Sequence, residues 1–84
     1  GIQLPNDNSL QVSVKREADG NIRVKVDDMA GMDVRCDVYT LDGKLVNTVT
    51  STVNEFVVPV SGYVKAPVVV LVKLDGKKYI YKIS

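Results

Sequence analysis

Residues 10–26 read LQVSVKREADGNIRVKV, and this stretch decides the fold. Leu10, Val12 and Val14 alternate with Gln11, Ser13 and Lys15; beyond Asp19-Gly20, Ile22, Val24 and Val26 alternate with Arg23, Lys25 and Asp27. Successive side chains of a strand point to opposite faces, so apolar residues at every second position give one face to a core and one to water. An Asp-Gly pair between two such runs predicts a β-hairpin. Its type I′ turn needs positive φ at both central residues, which Asp and Gly tolerate.

The same unit recurs downstream at Asp42-Gly43 and Asp75-Gly76. Before the second pair, Val34, Cys36 and Val38 face inward while Arg35, Asp37 and Tyr39 face outward. After it, residues 45–50 alternate more weakly, with Leu45 and Val49 set against Val46 and Thr48. The Ser/Thr/Asn-rich stretch 50–54 then loops into Phe56-Val57-Val58-Pro59-Val60. Pro59 has no N–H for a ladder, so that strand lies at an edge or ends there. Residues 61–67 form a connection, and 68–74 are apolar on both faces apart from Lys73, the mark of a central strand. The chain closes on a strand at 79–83, while 27–33 hold at most one helical turn. Seven short strands with turns every 8 to 14 residues predict an all-β fold, a seven-stranded antiparallel immunoglobulin-like (Ig-like) β-sandwich. The Cys…Trp…Cys pattern of true immunoglobulin domains is absent. Leu-Asp-Gly-Lys occurs at both 41–44 and 74–77, a repeat that shared turn chemistry explains without duplication.

Composition narrows the chemistry. With 84 residues the chain is one domain with a thin core, since a domain this small buries only about 60% of its unfolded surface. It has no His, no Trp and a single Cys. Ser-His-Asp and Cys-His catalysis, Cys/His zinc sites and an internal disulfide are therefore all excluded. No Gly-rich phosphate-binding fingerprint is present, and an 84-residue sandwich offers no deep cleft for an acid-pair glycosidase. The expectation is no catalytic residue, no cofactor and no metal. Cys36 sits in an apolar alternation and reads as a buried, inert thiol. Asp27, Asp28 and Asp33 surround Gly31 without the spacing of an EF-hand loop and read as solvated acids. No run approaches the roughly 18 apolar residues of a helical membrane span, and no stretch of these residues reads as a signal peptide.

Charge is uneven. The whole chain carries +1, but residues 65–84 hold five Lys and one Asp, which leaves −3 for the first 64. The total is too small for a nucleic-acid binder. The basic final stretch, with Tyr79 and Tyr81, suits an acidic partner or a glycan; alternatively its lysines guard an edge strand against pairing. Gly1 reads as the scar of tag removal and residues 2–9, IQLPNDNS, as a linker, so the domain is expected over 10–84. Such a chain is either the terminal module of a larger protein or the mature part of a small exported one. Its end directly after a strand suits a natural C-terminus.

Residues 34–46, VRCDVYTLDGKLV, resemble the central hairpin of the C-terminal sorting domains of the type IX secretion system in Bacteroidetes, where V-x-V-x-V-Y-D-x-x-G-K-x-V recurs. Residues 70–83, VLVKLDGKKYIYKI, are similar to that family's closing hairpin, and 10–26 are compatible with its opening one. Two segments depart: Val14-Lys15-Arg16-Glu17 stands where the family has a Y-P-N-P-like run, and Pro67-Val68-Val69 where it has Gly-x-Tyr. The resemblance implies a non-enzymatic, exported module, a sorting or anchoring domain at the end of a secreted protein. Outer-membrane secretion machinery would read it, in the periplasm or at the cell surface. The residues it singles out for recognition are Gly43, Lys44, Gly76, Lys77, Lys82 and Ile83. The alternative is a free-standing small secreted Ig-like interaction or adhesion domain, binding another protein through a sheet face or edge.

Overall fold

A computed structural model describes residues 11–29 and 31–84, so the expected linker 1–9 and Leu10 lie outside the described residues. Seven strands run β1 (Val12–Arg16), β2 (Ile22–Val26), β3 (Val34–Thr40), β4 (Leu45–Ser51), β5 (Glu55–Val58), β6 (Val68–Leu74) and β7 (Lys77–Ile83). They form two antiparallel sheets, ordered β1-β2-β5 and β4-β3-β6-β7. This is the expected Ig-like sandwich. β5 ends before Pro59 at the edge of the smaller sheet, and β6 lies inside the larger one between β3 and β7.

The inward positions supply the core: Ile22, Val24 and Val26 of the small sheet face Val34, Cys36, Val38, Val68, Val70 and Val72 of the large one, all fully buried. Valine dominates because a β-branched side chain is stiff at χ1 and packs well on a pleated surface. Phe56, Tyr63, Tyr79 and Tyr81 cover its margins. The hydroxyls of Tyr79 and Tyr81 donate to Gln11 Oε1 and to the Val12 carbonyl, both at 3.3 Å, and tie β7 to β1 across the sandwich.

The three Asp-Gly turns are not alike, which corrects the expectation of type I′ throughout. Only at Asp75-Gly76 are both φ values positive, 52° and 75°, with Leu74 paired directly to Lys77. That is a two-residue turn of the expected kind. At the other two sites only the glycine is positive, Gly20 at 92° and Gly43 at 94°. There Gly20 N–H donates to Glu17 O and Gly43 N–H to Thr40 O, while Glu17 pairs with Asn21 and Thr40 with Lys44. Three residues lie between the paired ends, so each loop is a type I turn closed by a left-handed glycine. Asp-Gly serves both geometries; the register of the flanking strands decides between them.

Register also explains the weak alternation of β4. Val38 pairs with Asn47 but Tyr39 pairs with Leu45, so Val46 is an extra residue, a β-bulge. The bulge lets both Val46 and Val49 pack on the core margin and leaves Leu45 48% exposed on the outside.

One loop is fastened from below. The Arg16 guanidinium donates to Gly20 O (2.8 Å), Tyr63 O (3.3 Å), Val64 O (3.0 Å) and Ala66 O (2.6 Å), pinning the connection between β5 and β6 onto the first hairpin. Gly20 permits that approach: a Cβ there would stand 2.2 Å from Val64 Cβ.

Candidate functional site

Strand pairing arranges the outward side chains of the four-stranded sheet in three rows. Thr50, Arg35, Lys73 and Lys78 form the first; Thr48, Asp37, Leu71 and Ile80 the second; Leu45, Tyr39, Val69 and Lys82 the third. An apolar band therefore crosses the sheet obliquely from Ile80 through Leu71 and Val69 to Tyr39 and Leu45. Ile80 is 70% exposed, and cations flank the band on both sides. The outer face of the three-stranded sheet is different. It carries Ser13, Lys15, Arg23, Lys25, Glu55 and Val57, and Arg23 is bridged to Glu17 (2.9 Å) and Glu55 (3.0 Å). That face is polar.

Asp37 lies in the middle of the banded face yet is only 1% exposed. Its Oδ1 accepts from the Thr48 hydroxyl at 2.5 Å and from Arg35 Nε at 3.0 Å, and Lys73 Nζ lies 3.5 Å from Oδ2. Burial alone pushes this carboxyl up, but the Thr48 and Arg35 hydrogen bonds and the Arg35 and Lys73 charges outweigh it and hold Asp37 below the ordinary carboxylate range. Sequence alternation assigned Asp37 to the outward, wet side. Its side is as expected; its solvation is not, because Arg35, Thr48 and Lys73 converge on it. The signal available in sequence was a lone acid amid a strand, two residues from an Arg.

The recognition residues singled out by resemblance separate into two groups. Thr40 pairs with Val68 and Val68 with Ile83, so the Gly43-Lys44 turn, Lys82 and Ile83 share one end of the large sheet. Gly76 and Lys77 lie at the opposite end, roughly 20 Å away along the strands. Lys44, Lys77 and Lys82 are exposed, whereas Ile83 is half-buried and packs against the core. In the first turn the Thr40 hydroxyl bonds to the Asp42 carboxylate and accepts from the Lys44 amide at 3.0 Å. The Thr40 hydrogen bond above all, with the backbone amides of Asp42 and Lys44 and the Lys44 charge, holds the Asp42 carboxyl below its ordinary value.

Cys36 is fully buried, and desolvation, aided by the neighbouring Asp37 charge, pushes its thiol up to about 12. A thiol that holds its proton is a poor nucleophile. Among the described residues no group of three or more His, Cys, Asp or Glu stands together as a metal site. Among the described residues, shallow concavities of about 210 Å³ lie beside Lys15, Arg23 and Lys25 and of about 70 Å³ between Gln11, Asp75 and Lys77. Both are smaller than the roughly 300–1,000 Å³ of small-molecule sites. Among the described residues no helix is long and apolar enough to cross a membrane. In comparisons with family models, curated proteins and solved structures, nothing matched the chain.

Proposed function

We propose that this chain is a non-enzymatic, exported β-sandwich module that acts by being bound by another protein, as a C-terminal sorting or anchoring domain. The observation that carries this reading is the banded face. It keeps Ile80 and Leu45 in water, with exposed Lys78 and Lys82 on either side of Ile80, while the outer face of the small sheet is polar and holds Arg23 between Glu17 and Glu55. Exposed apolar area of this kind costs solubility, and a binding partner is the usual reason for keeping it. Export and type IX sorting rest on the resemblance of residues 34–46 and 70–83. The exposed Lys44 and Lys82 at one end of the sheet, and Lys77 at the other, offer a docking protein separate points of attachment.

The test is a reporter fusion. The chain is placed at the C-terminus of a fluorescent protein carrying an inner-membrane signal, in strains with and without an intact type IX system. Release or surface anchoring of the reporter only in the competent strain, with the domain removed, supports sorting. Reporter kept in the periplasm of both strains defeats it. A second reading, a free-standing secreted interaction domain, is favoured by Arg16: it stands within the stretch where the family has its Y-P-N-P-like run and is committed to pinning an internal loop.

A further inference from the structure

β7 forms one edge of the larger sheet, and among the described residues only β6 pairs with it. Its outward side chains are Lys78, Ile80 and Lys82, all exposed. Both edge strands reach toward the small sheet, β4 through Asn47 Nδ2, which donates to Pro59 O just past β5 at 2.9 Å, and β7 through the Tyr79 and Tyr81 hydroxyls. An edge strand presents a row of free N–H and C=O groups, and lysines on it discourage pairing with copies of itself. Edge protection accounts for Lys78 and Lys82. It does not account for Ile80, 70% exposed between them, which a strand built only to repel would not need.

The pattern is selective rather than merely repulsive. If two copies of β7 paired antiparallel with Ile80 on the dyad, Lys78 of each would stand against Lys82 of the other. Slipping by two residues instead sets each Ile80 against a lysine and shortens the ladder. Like charges directly opposite are destabilising and unlike charges favourable. The strand that fits β7 therefore carries an acid opposite Lys78, an apolar residue opposite Ile80 and an acid opposite Lys82.

We infer that β7 is a strand-addition site for an extended protein segment of the pattern acidic–x–apolar–x–acidic, paired antiparallel along the edge. Main-chain hydrogen bonds supply the attachment, and the alternate side chains supply the choice. Leu71, beside Ile80 on β6, extends the apolar floor, and Lys73, beside Lys78, extends the positive border. The inference rests on the reading of the chain as a binding module and is independent of whether the partner belongs to an export apparatus.

The probe is the capped nonapeptide TTETVTETT, titrated into the isotopically labelled full chain and followed by amide NMR shifts, with TTKTVTKTT as the reversed-charge control. The expected result is saturable shifts concentrated on β7 and adjacent β6 amides, and at least fivefold weaker binding of the control. Affinity should fall as salt rises. The double variant Lys78→Glu/Lys82→Glu, altered only at exposed positions, should keep the fold and exchange the two preferences. Shifts elsewhere, no dependence on peptide charge, or no binding at millimolar peptide overturns the inference. So does a free chain whose β7 edge is already paired, either in a sedimenting dimer or with another segment of itself seen in cross-strand contacts. Failure here would leave the reporter-fusion outcome standing, and the reverse also holds.

Discussion

A carboxylate shielded from water survives ionised only if neighbours replace its hydration, and Asp37 has Thr48, Arg35 and Lys73 for that purpose. Because its folded carboxyl sits below the unfolded value of roughly 3.9, it contributes stability above that pH. The contribution is lost as the solution is acidified through the folded value. Asp37→Asn should cost about 1–3 kcal/mol at pH 7 and should flatten the fall in stability between pH 5 and pH 2, read by urea denaturation at each pH. Equal acid slopes in both proteins would refute the assignment. Two glycines of nearly identical φ give a second residue-scale test. Gly20→Ala and Gly43→Ala share the left-handed strain of about 1–2 kcal/mol, but only Gly20 faces Val64, while Gly43 faces open space. Gly20→Ala should therefore cost at least about 1 kcal/mol more in the same denaturation series, as a forced steric shift requires. Neither contrast was legible in sequence. Alternation tells which side Asp37 is on, not what lies over it, and a glycine in an Asp-Gly turn gives no sign of a loop arriving from residues 61–67.

Elements were the most legible level. Period-two patterning placed β1, β2 and β3, apolar runs placed β5 and β6, and Pro59 marked the end of β5. Turn geometry was not, because two and three intervening residues can both contain Asp-Gly, and only non-local register distinguishes them. The candidate face was half legible. Arg35, Tyr39 and Lys73 could be assigned outward from alternation, but the rows that join Ile80 to Leu71 and Asp37 exist only once β3, β6 and β7 lie side by side. The connection between β5 and β6 depends on one guanidinium, and Arg16→Lys should release it. An ammonium keeps the charge but cannot span four carbonyls. Hydrogen exchange should accelerate by about tenfold or more at Tyr63 and Ala66, whose amides bond within that loop, with β3 and β6 amides unaffected. Uniform acceleration across all strands would show instead that the loop and the sandwich open together.

For the whole molecule, Cys36 is a built-in reporter. Its thiol is fully buried and retains its proton to about pH 12, so alkylation at pH 8 needs an opening of the sandwich. The labelling rate with iodoacetamide should rise with urea in parallel with the global unfolding equilibrium; a rate indifferent to urea would mean that a local breach exposes β3. The sheet order carries one more consequence, a matter of timing. β1–β2 and β3–β4 are hairpins between neighbours in sequence, but β3 gains its second partner only from β6, and the last strands, β6 and β7, make up half of the larger sheet. A chain threaded N-terminus first through a pore could thus complete the three-stranded sheet and the β3–β4 hairpin, but half of the larger sheet would be missing until residue 68 and beyond emerged. Long-range pairing of this kind is slow and costly to nucleate. Completion of the larger sheet is therefore withheld until residues 68–83 are available to pair with β3.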